Sequence, residues 1–346
     1  MPVVISSLSV KNIKPTFIQT NPMIIHYVTD TTDWVQSNRL GIFQKYMPEY
    51  QFKLCTFRDF FGLKNYFLRK HANVYFTNWR GLLLNRSALS HLDSERCIVS
   101  ITSHYNLGGG LNESRSLPPG QSSMEAITNS LPILKMFPHI SVNSRILQEY
   151  LKPWIETTLS ENGVDHRHFV NLANRSKFNP NSISVGWIGK VKAAKNYDEC
   201  IKPAFEALSR MGFRTFAYPI TKENNTVSLM DPGGMVKYYN TLDFYVCASW
   251  HEGTPNPALE AASCGVPVIS TRVGNMPDFI QAGINGDFIE PNSQSLIEKI
   301  LSYRALTEAN YQALSMNARR TIEDNWTWDI KINNYRDLFH KVYRND

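Results

Sequence analysis

Short apolar runs alternate with longer stretches whose apolar positions recur at helical spacing, and the alternation continues from about residue 23 to the end of the chain. Residues 23–28 (Met-Ile-Ile-His-Tyr-Val) read as a buried strand, and 34–46 as a helix with Trp34, Val35, Leu40, Phe43 and the adjacent Met47 apolar. Further strands are expected at 51–57, 73–77, 97–102 and 139–142, with helices over 59–70, 80–91, 123–135 and 145–154. A polar loop, 103–121, carries Gly108-Gly109-Gly110. The pattern restarts at Ile183, with strands at 183–188, 215–219, 244–248 and 267–271 and helices near 197–211, 233–240, 257–264, 294–302, 307–324 and 329–343. Such alternation implies α/β architecture, with mostly parallel sheets covered on both faces.

The polar segment 171–181 suits a connection between two units, so the chain is divided into 1–178 and 179–346. Two doubly wound, Rossmann-like domains are expected. Ligands of such sheets bind outside the carboxyl ends of the strands, here in the cleft between the halves.

Composition changes this picture little. Of 346 residues, 42% are hydrophobic and 19% charged, which supports a packed core and argues against bulk disorder. No apolar run reaches the roughly 18 residues of a membrane-spanning helix. The start, Met1-Pro2-Val3-Val4, does not read as a signal peptide. Cys55, Cys97, Cys200, Cys247 and Cys264 show no CxxC spacing, so neither a zinc site nor a disulfide framework is expected, and a reducing, cytoplasmic setting fits. Charge is uneven: residues 1–178 carry 19 Lys+Arg against 12 Asp+Glu, and residues 179–346 carry 17 against 18. The basic first half suits an anionic partner, although plain solvation accounts for the same excess.

The chemistry is concentrated between Ser249 and Thr271 (SWHEGTPNPALEAASCGVPVIST). A strand ends, a polar turn with Gly253 and Pro255 follows, and a short helix begins with Asn256 as its expected cap and Pro257 in its first turn. Gly265 ends the helix, and Pro267 opens the next strand. The helix start is expected to offer N–H groups and its dipole to a diphosphate. Glu252 lies before the helix and Glu260 inside it, placed so that both carboxylates can face one pocket and accept hydrogen bonds from sugar hydroxyls.

This segment resembles the donor-binding signature of retaining, family-4-like glycosyltransferases (glycosyl transferases group 1) with the two-domain GT-B fold. The resemblance rests on Glu252, seven residues, Glu260, then Cys264-Gly265-Val266-Pro267-Val268, and continues through Thr271-Arg272-Val273-Gly274 and Asp278. It implies a nucleoside-diphosphate sugar donor, with Glu252 contacting the hydroxyls of the transferred sugar and Glu260 holding the ribose. The backbone of Gly253, Thr254 and Asn256 would lie near the sugar. A second match runs from Trp187 to Asn196, where Gly189-Lys190 and Lys195 stand in the family's Gly-Arg and Lys positions. Lys190 and Lys195 would neutralise the diphosphate leaving group, although a lysine at 190 forfeits the bidentate fork of an arginine. His104 matches a family histidine that faces donor sugar and acceptor. Catalytic roles are therefore expected for Glu252, His104 and Lys195. Asn162-Gly163-Val164-Asp165 with Phe169 resembles the turn into the interdomain connection.

The resemblance implies metal-independent transfer of a hexose or similar sugar to an acceptor hydroxyl, with no cofactor besides the nucleotide-sugar substrate. It further implies a last helix, about 329–343, that crosses back to the first domain, with Trp326 and Trp328 near the crossing. The chain departs from the family after the first strand, where Thr29-Asp30-Thr31-Thr32-Asp33-Trp34 has no glycine. Side chains of Thr31, Asp33 or Trp34 are candidates for the acceptor site. The acceptor is expected to be a surface glycan or lipid-linked saccharide. Rival readings are a modified base in DNA, as in viral enzymes of this architecture, a nucleotide-sugar-binding module without catalysis, and a related phosphorylase. The aromatic and basic stretch 57–70 is a candidate for peripheral contact with an anionic membrane or a nucleic-acid backbone, against the plainer expectation of a helix packed on the sheet.

Overall fold

The computed structural model describes residues 22–30, 34–62, 69–111, 115, 117, 120–172, 177–221 and 232–343. Met1 to Val4, Thr31, Asp33, residues 63–68 of the aromatic and basic stretch, and residues 173–176 of the connection lie outside them. Trp34 is the first residue of the first helix.

The first lobe runs β1 (Met23–Thr29), α1 (Trp34–Tyr46), β2 (Tyr50–Thr56), α2 (Phe57–Phe61), β3 (Asn73–Phe76), α3 (Arg80–Leu84), β4 (Cys97–Ile101), α4 (Ser123–Leu134), β5 (His139–Val142), α5 (Arg145–Leu151) and β6 (Thr158–Leu159). Its six strands are parallel, in the order β2-β1-β3-β4-β5-β6. The second lobe runs β7 (Ser184–Lys190), α6 (Lys202–Arg210), β8 (Arg214–Ile220), α7 (Pro232–Asn240), β9 (Phe244–Cys247), α8 (Asn256–Ser263), β10 (Val268–Ser270), α9 (Met276–Phe279), β11 (Gly286–Phe288), α10 (Ser293–Ser302), α11 (Glu308–Asn325) and α12 (Trp328–Tyr343). Its five parallel strands take the order β11-β10-β9-β7-β8. Both sheets reverse strand order next to their first strand, the arrangement that opens a ligand crevice at the carboxyl edge.

Sequence pattern and physical chemistry explain these elements. The central strands β3, β4 and β9 have no exposed residue, as helices packed on both sides require, whereas the edge strands β2 and β8 are partly exposed. Ser122 and Glu125 form a reciprocal capping box at α4. The helix expected at 80–91 is shorter, because the chain tightens into a 3₁₀ segment over Arg86–His91. The helix expected at 197–211 opens with a wide turn over Tyr197–Ile201 after Asn196 takes a left-handed conformation (φ 57°). In the core Phe57 stacks on Phe76 and Phe60 meets it edge-on, with ring centroids 5.6 and 5.8 Å apart. Arg69 is buried and donates to the Phe61 carbonyl at 3.1 Å. These residues of the 57–70 stretch therefore belong to the interior. The suggested membrane-facing or nucleic-acid-facing surface is corrected for them, because the aromatic rings fill the space between helix and sheet.

The chain crosses between the lobes twice, and the crossings are joined. Val164 N–H donates to Trp326 carbonyl at 2.8 Å, and Trp328 N–H donates to Val164 carbonyl at 3.2 Å. A β-carbon on Gly163 would lie 2.5 Å from the Trp328 nitrogen, which explains the glycine. Beyond this point α12 packs Ile332, Tyr335, Leu338, Phe339 and Val342 with Ile25, Tyr27 and Phe43 of the first lobe. Among the described residues, no helix is long and apolar enough to cross a membrane.

Candidate active site

The site grows from β7 and β9, which are neighbours in the second sheet. The chain leaves β7 through Lys190 into a tight turn, Ala193–Lys195, and leaves β9 into the Ser249–Thr254 loop. Trp250 N–H donates to the Ala194 carbonyl at 2.8 Å and ties the two loops together. This joins Lys195 to Glu252: the ammonium donates to Oε1, and Ser249 Oγ donates to the same oxygen at 2.7 Å. The Glu252 side chain is 11% exposed and that of Lys195 33%. Burial, the largest influence on Lys195, opposes its charge, but the Glu252 carboxylate and the hydrogen bond to it outweigh burial and raise its pKa. Lys195 is therefore a cation bonded to the Glu252 carboxylate. Lys190 is exposed at the strand end, and Gly189 lies half-buried where a β-carbon would be 3.1 Å from the Trp187 ring.

The first lobe supplies His104, which follows β4. It is buried, with Nδ1 3.0 Å from the Gly108 carbonyl. A carbonyl only accepts, so Nδ1 carries the hydrogen and Nε2 keeps a lone pair. Burial brings the pKa down to about 4, against the Gly108 bond and with the help of His251, so the ring is neutral at pH 7. Gly108 and Gly109 have φ of 84° and 78°, which favours glycine, and a β-carbon on Gly109 would lie 2.3 Å from the Tyr150 ring. His104, Gly109, Gly110, Glu252 and Gly274 help to line a cavity of about 120 Å³.

The lobes touch around this cavity. Leu111 N–H donates to the Trp250 carbonyl at 3.2 Å, and Thr254 Oγ1 to the Asn143 carbonyl at 3.4 Å. Arg115 pairs with Glu199 at 2.7 Å, and Arg145 with Asp278 at 3.6 Å. Gly253 meets the first lobe at Thr102 and Asn143.

Glu260 sits apart from this cluster. The Tyr239 hydroxyl of α7 donates to its Oε2 at 2.8 Å. Burial pushes its pKa up to about 7, with Tyr239 and His168 pulling the other way. It lines a second cavity of about 490 Å³ with Asn256, Arg39, Lys45, His168 and Met235. The expectation that both carboxylates face one pocket is corrected. Glu252 is held towards the strand end by Ser249 and Lys195, whereas Glu260 projects from α8 towards α7 and the interlobe crossing. The helix start is corrected too. Pro255 takes the cap position and Asn256 is the first helical residue, its Oδ1 accepting from Asn162 Nδ2 at 3.3 Å. Asn256 N–H donates to Thr254 carbonyl and Ala258 N–H to Pro255 carbonyl, both at 2.9 Å, while Pro257 has no N–H. These first-turn amides are spent on the turn itself, so the cations carry the positive charge of the crevice. Gly265 ends α8 as expected, with φ 73°.

Ser249, His251, Tyr239, Asn143 and Gly274 join the site without having been expected there. Ser249 had a readable signal, a hydroxyl three residues before Glu252 at a strand end. The others depend on lobe packing.

Comparison with known proteins bears first on the second lobe. Residues 219–305 match the glycosyl transferases group 1 family. That segment contains Glu252, Glu260 and the Cys264–Val268 run, the residues on which the resemblance to glycosyl transferases group 1 rests. The fold is GT-B. The chain is similar to sucrose-phosphate synthase from Thermosynechococcus elongatus (TM-score 0.71, 12% identity, 94% of this chain and 100% of that one). It is also similar to HepE of Anabaena, in complex with UDP and glucose (TM-score 0.69, 13% identity, 92% and 100%). Among curated relatives, CapM of Staphylococcus aureus, a capsular polysaccharide biosynthesis glycosyltransferase, is 21% identical over 230 residues, 60% of this chain. Spore coat protein SA of Bacillus subtilis is 27% identical over 118 residues, 33% of this chain. The matched stretches span 60% and 31% of those two relatives' own lengths.

Proposed function

We propose that this chain is a metal-independent, retaining glycosyltransferase that moves a sugar from a nucleoside-diphosphate sugar to a hydroxyl of a glycan or lipid-linked saccharide. The observation that carries the reading is the Lys195–Glu252–Ser249 cluster at the carboxyl edge of β7 and β9, closed over by His104 and the Gly108–Gly110 loop of the other lobe. HepE, of the same fold, holds UDP and glucose, and a uridine-type donor is the first to test.

In this reading Lys190 and Lys195 hold the diphosphate as point charges, and Glu252 accepts hydrogen bonds from the sugar hydroxyls. His104 Nε2 accepts another, because its ring stays neutral. The ribose reaches Glu260 in the larger cavity. The bond from the anomeric carbon to the diphosphate oxygen breaks, and its electron pair leaves with the nucleoside diphosphate. The acceptor oxygen bonds to the same face of that carbon, and its proton passes to the departing phosphate oxygen. Positive charge develops on the sugar in between, where the Glu252 carboxylate favours it.

The test is a panel of sugar nucleotides scored by thermal stabilisation and slow hydrolysis, followed by NMR of the product's anomeric proton. Stabilisation by at least one donor, weakened by Glu260→Ala, and an unchanged anomeric configuration are expected. Nucleotide affinity untouched by Glu260→Ala would remove the ribose assignment, and an inverted product would remove the retaining mechanism.

A further inference from the structure

Lys195 and Glu252 reach their contact from two loops, and each is held by a buried residue beside the pair. Asn196 directly follows Lys195, is buried, and takes the left-handed conformation at φ 57°. Glycine adopts that conformation without strain, and an asparagine is kept in it by the hydrogen bonds of its side chain. Asn196 Nδ2 donates to the Ala248 carbonyl at 3.2 Å and to the Pro291 carbonyl at 2.9 Å. Both partners only accept, which fixes the amide with its nitrogen towards them. The first bond fastens the Lys195 loop to the residue that follows β9; the second fastens it to the segment after β11.

Ser249 is the next residue along from Ala248. Its Oγ donates to Glu252 Oε1 at 2.7 Å and accepts a weak bond from Cys247 Sγ at 3.8 Å. Its carbonyl accepts from Thr271 Oγ1 at 2.6 Å. Ser249, Cys247 and Thr271 are all buried. Two consecutive residues at the end of β9 are thus the common anchor, Ala248 for the loop of the cation and Ser249 for the carboxylate. Lys195 and Ser249 both bond Oε1, and among the described residues none bonds Oε2. In the proposed mechanism the ammonium serves the diphosphate and the carboxylate serves the sugar. A carboxylate held by Lys195 alone would follow the ammonium when a diphosphate drew it away. Groups fixed in place beforehand need no reorganisation during the reaction.

We propose that Asn196 and Ser249 are positioning residues that fix Lys195 and Glu252 separately, so that a diphosphate takes the ammonium while the carboxylate stays at the sugar. The inference rests on the glycosyltransferase reading and deepens it, because neither residue lines the cavity that holds Glu252 or the one that holds Glu260. Asn196 acts through Lys195 and therefore on diphosphate binding. Ser249 acts through Glu252 and therefore on the rate of transfer.

The experiment pairs calorimetric titration of UDP with steady-state rates, using the donor found in the panel. Asn196→Gly keeps the left-handed turn and removes the brace; its UDP dissociation constant is expected to rise about fivefold or more, as for a displaced contact group. Asn196→Asp keeps the shape but turns an oxygen towards the two carbonyls, and it should weaken UDP in the same direction. Ser249→Ala should leave UDP binding unchanged and lower kcat by about tenfold. Circular dichroism and thermal melts confirm that each variant is folded. Double variants separate positioning from a general loss of structure. Asn196→Gly should cost no further UDP affinity once Lys195→Met is present, and Ser249→Ala no further rate once Glu252→Gln is present. Additive losses, or a loss of UDP affinity in Ser249→Ala, would overturn the proposal. If no nucleotide binds the parent, the donor reading fails, and inorganic pyrophosphate then reads the Lys195 brace by itself. Pyrophosphate binding weakened by Asn196→Gly would support the brace, whereas unaltered binding, or none in the parent, would overturn it.

Discussion

Gly253 lies so close to the main-chain carbonyl of Thr102 that a β-carbon on the glycine would sit 1.8 Å from that oxygen. The two residues belong to different lobes, and Gly253 directly follows Glu252. The contact sets how near the first lobe comes to the cluster of Lys195, Glu252 and Ser249. Gly274 supports it from behind, with φ 55° and space for a β-carbon only 2.1 Å from the Gly253 carbonyl.

Gly253→Ala is expected to push the lobes apart without unfolding either one. Turnover should fall by about tenfold or more, in line with the cost of a 1 Å misplacement of reacting groups. Small-angle scattering should show a larger radius of gyration, with the circular dichroism unchanged. A variant with normal activity and normal dimensions would show that the contact does not govern closure.

Glu252 and Lys195 share one contact, and the proposed mechanism gives them separable roles. Glu252→Gln removes the anion opposite the developing positive charge and leaves Lys195 fully available to a diphosphate. Its kcat is expected to fall by about 10²–10³, with UDP binding unchanged or tighter. Lys195→Met should weaken UDP binding by about tenfold or more. Titration calorimetry together with steady-state rates separates the two, and loss of UDP affinity in Glu252→Gln would contradict this division.

Much of the scaffold was legible in the chain itself. The four-residue strand His139–Val142 agrees with its apolar run, and the last helix begins one residue before its expected start. Strands of two or three residues, such as Thr158–Leu159 and Gly286–Phe288, carry too few apolar positions to register, and they form because neighbouring strands offer an open edge. The motif positions Glu252 and Lys195 were readable one by one. Their joining was not, since 57 residues separate them and only the adjacency of β7 and β9 makes them neighbours. The helix-start amides were misread because the turn from Thr254 to Ala258 satisfies them locally. The partner of Glu260, the Tyr239 hydroxyl, comes from another helix, which the spacing of the two glutamates does not encode.

Glu260 gives stability a pH dependence with a definite sign. Its pKa rises from the ordinary 4.5 to about 7 in the folded chain, so the folded state holds a proton that the unfolded chain releases. The associated stability is fully present below about pH 4.5 and is lost as pH rises through about 7. The buried histidines His104 and His251, whose pKa values are lowered, act in the opposite direction. Comparison with Glu260→Gln isolates the glutamate: the melting temperature of the variant minus that of the parent should increase from pH 5 to pH 8. A difference independent of pH would show that Glu260 is ionised throughout.

The return of α12 to the first lobe is anchored by an ion pair between Lys331 and Glu161, 2.6 Å apart, with side chains 13% and 6% exposed. The Lys331 ammonium also lies over the Trp326 ring at 3.9 Å, next to the joined crossings. Deleting one member of such a pair strands the other charge away from water. Lys331→Met should therefore cost about 3–5 kcal/mol, read as a lower urea midpoint. Replacing both with apolar residues, Glu161→Leu with Lys331→Met, removes the stranded charge and should recover most of the loss. The double variant separates two explanations. Recovery assigns the cost to the unpaired Glu161 carboxylate, whereas an undiminished loss would mean that α12 is held by the specific geometry of the pair, with Tyr335 donating to Asn162 at 3.1 Å as the adjoining contact.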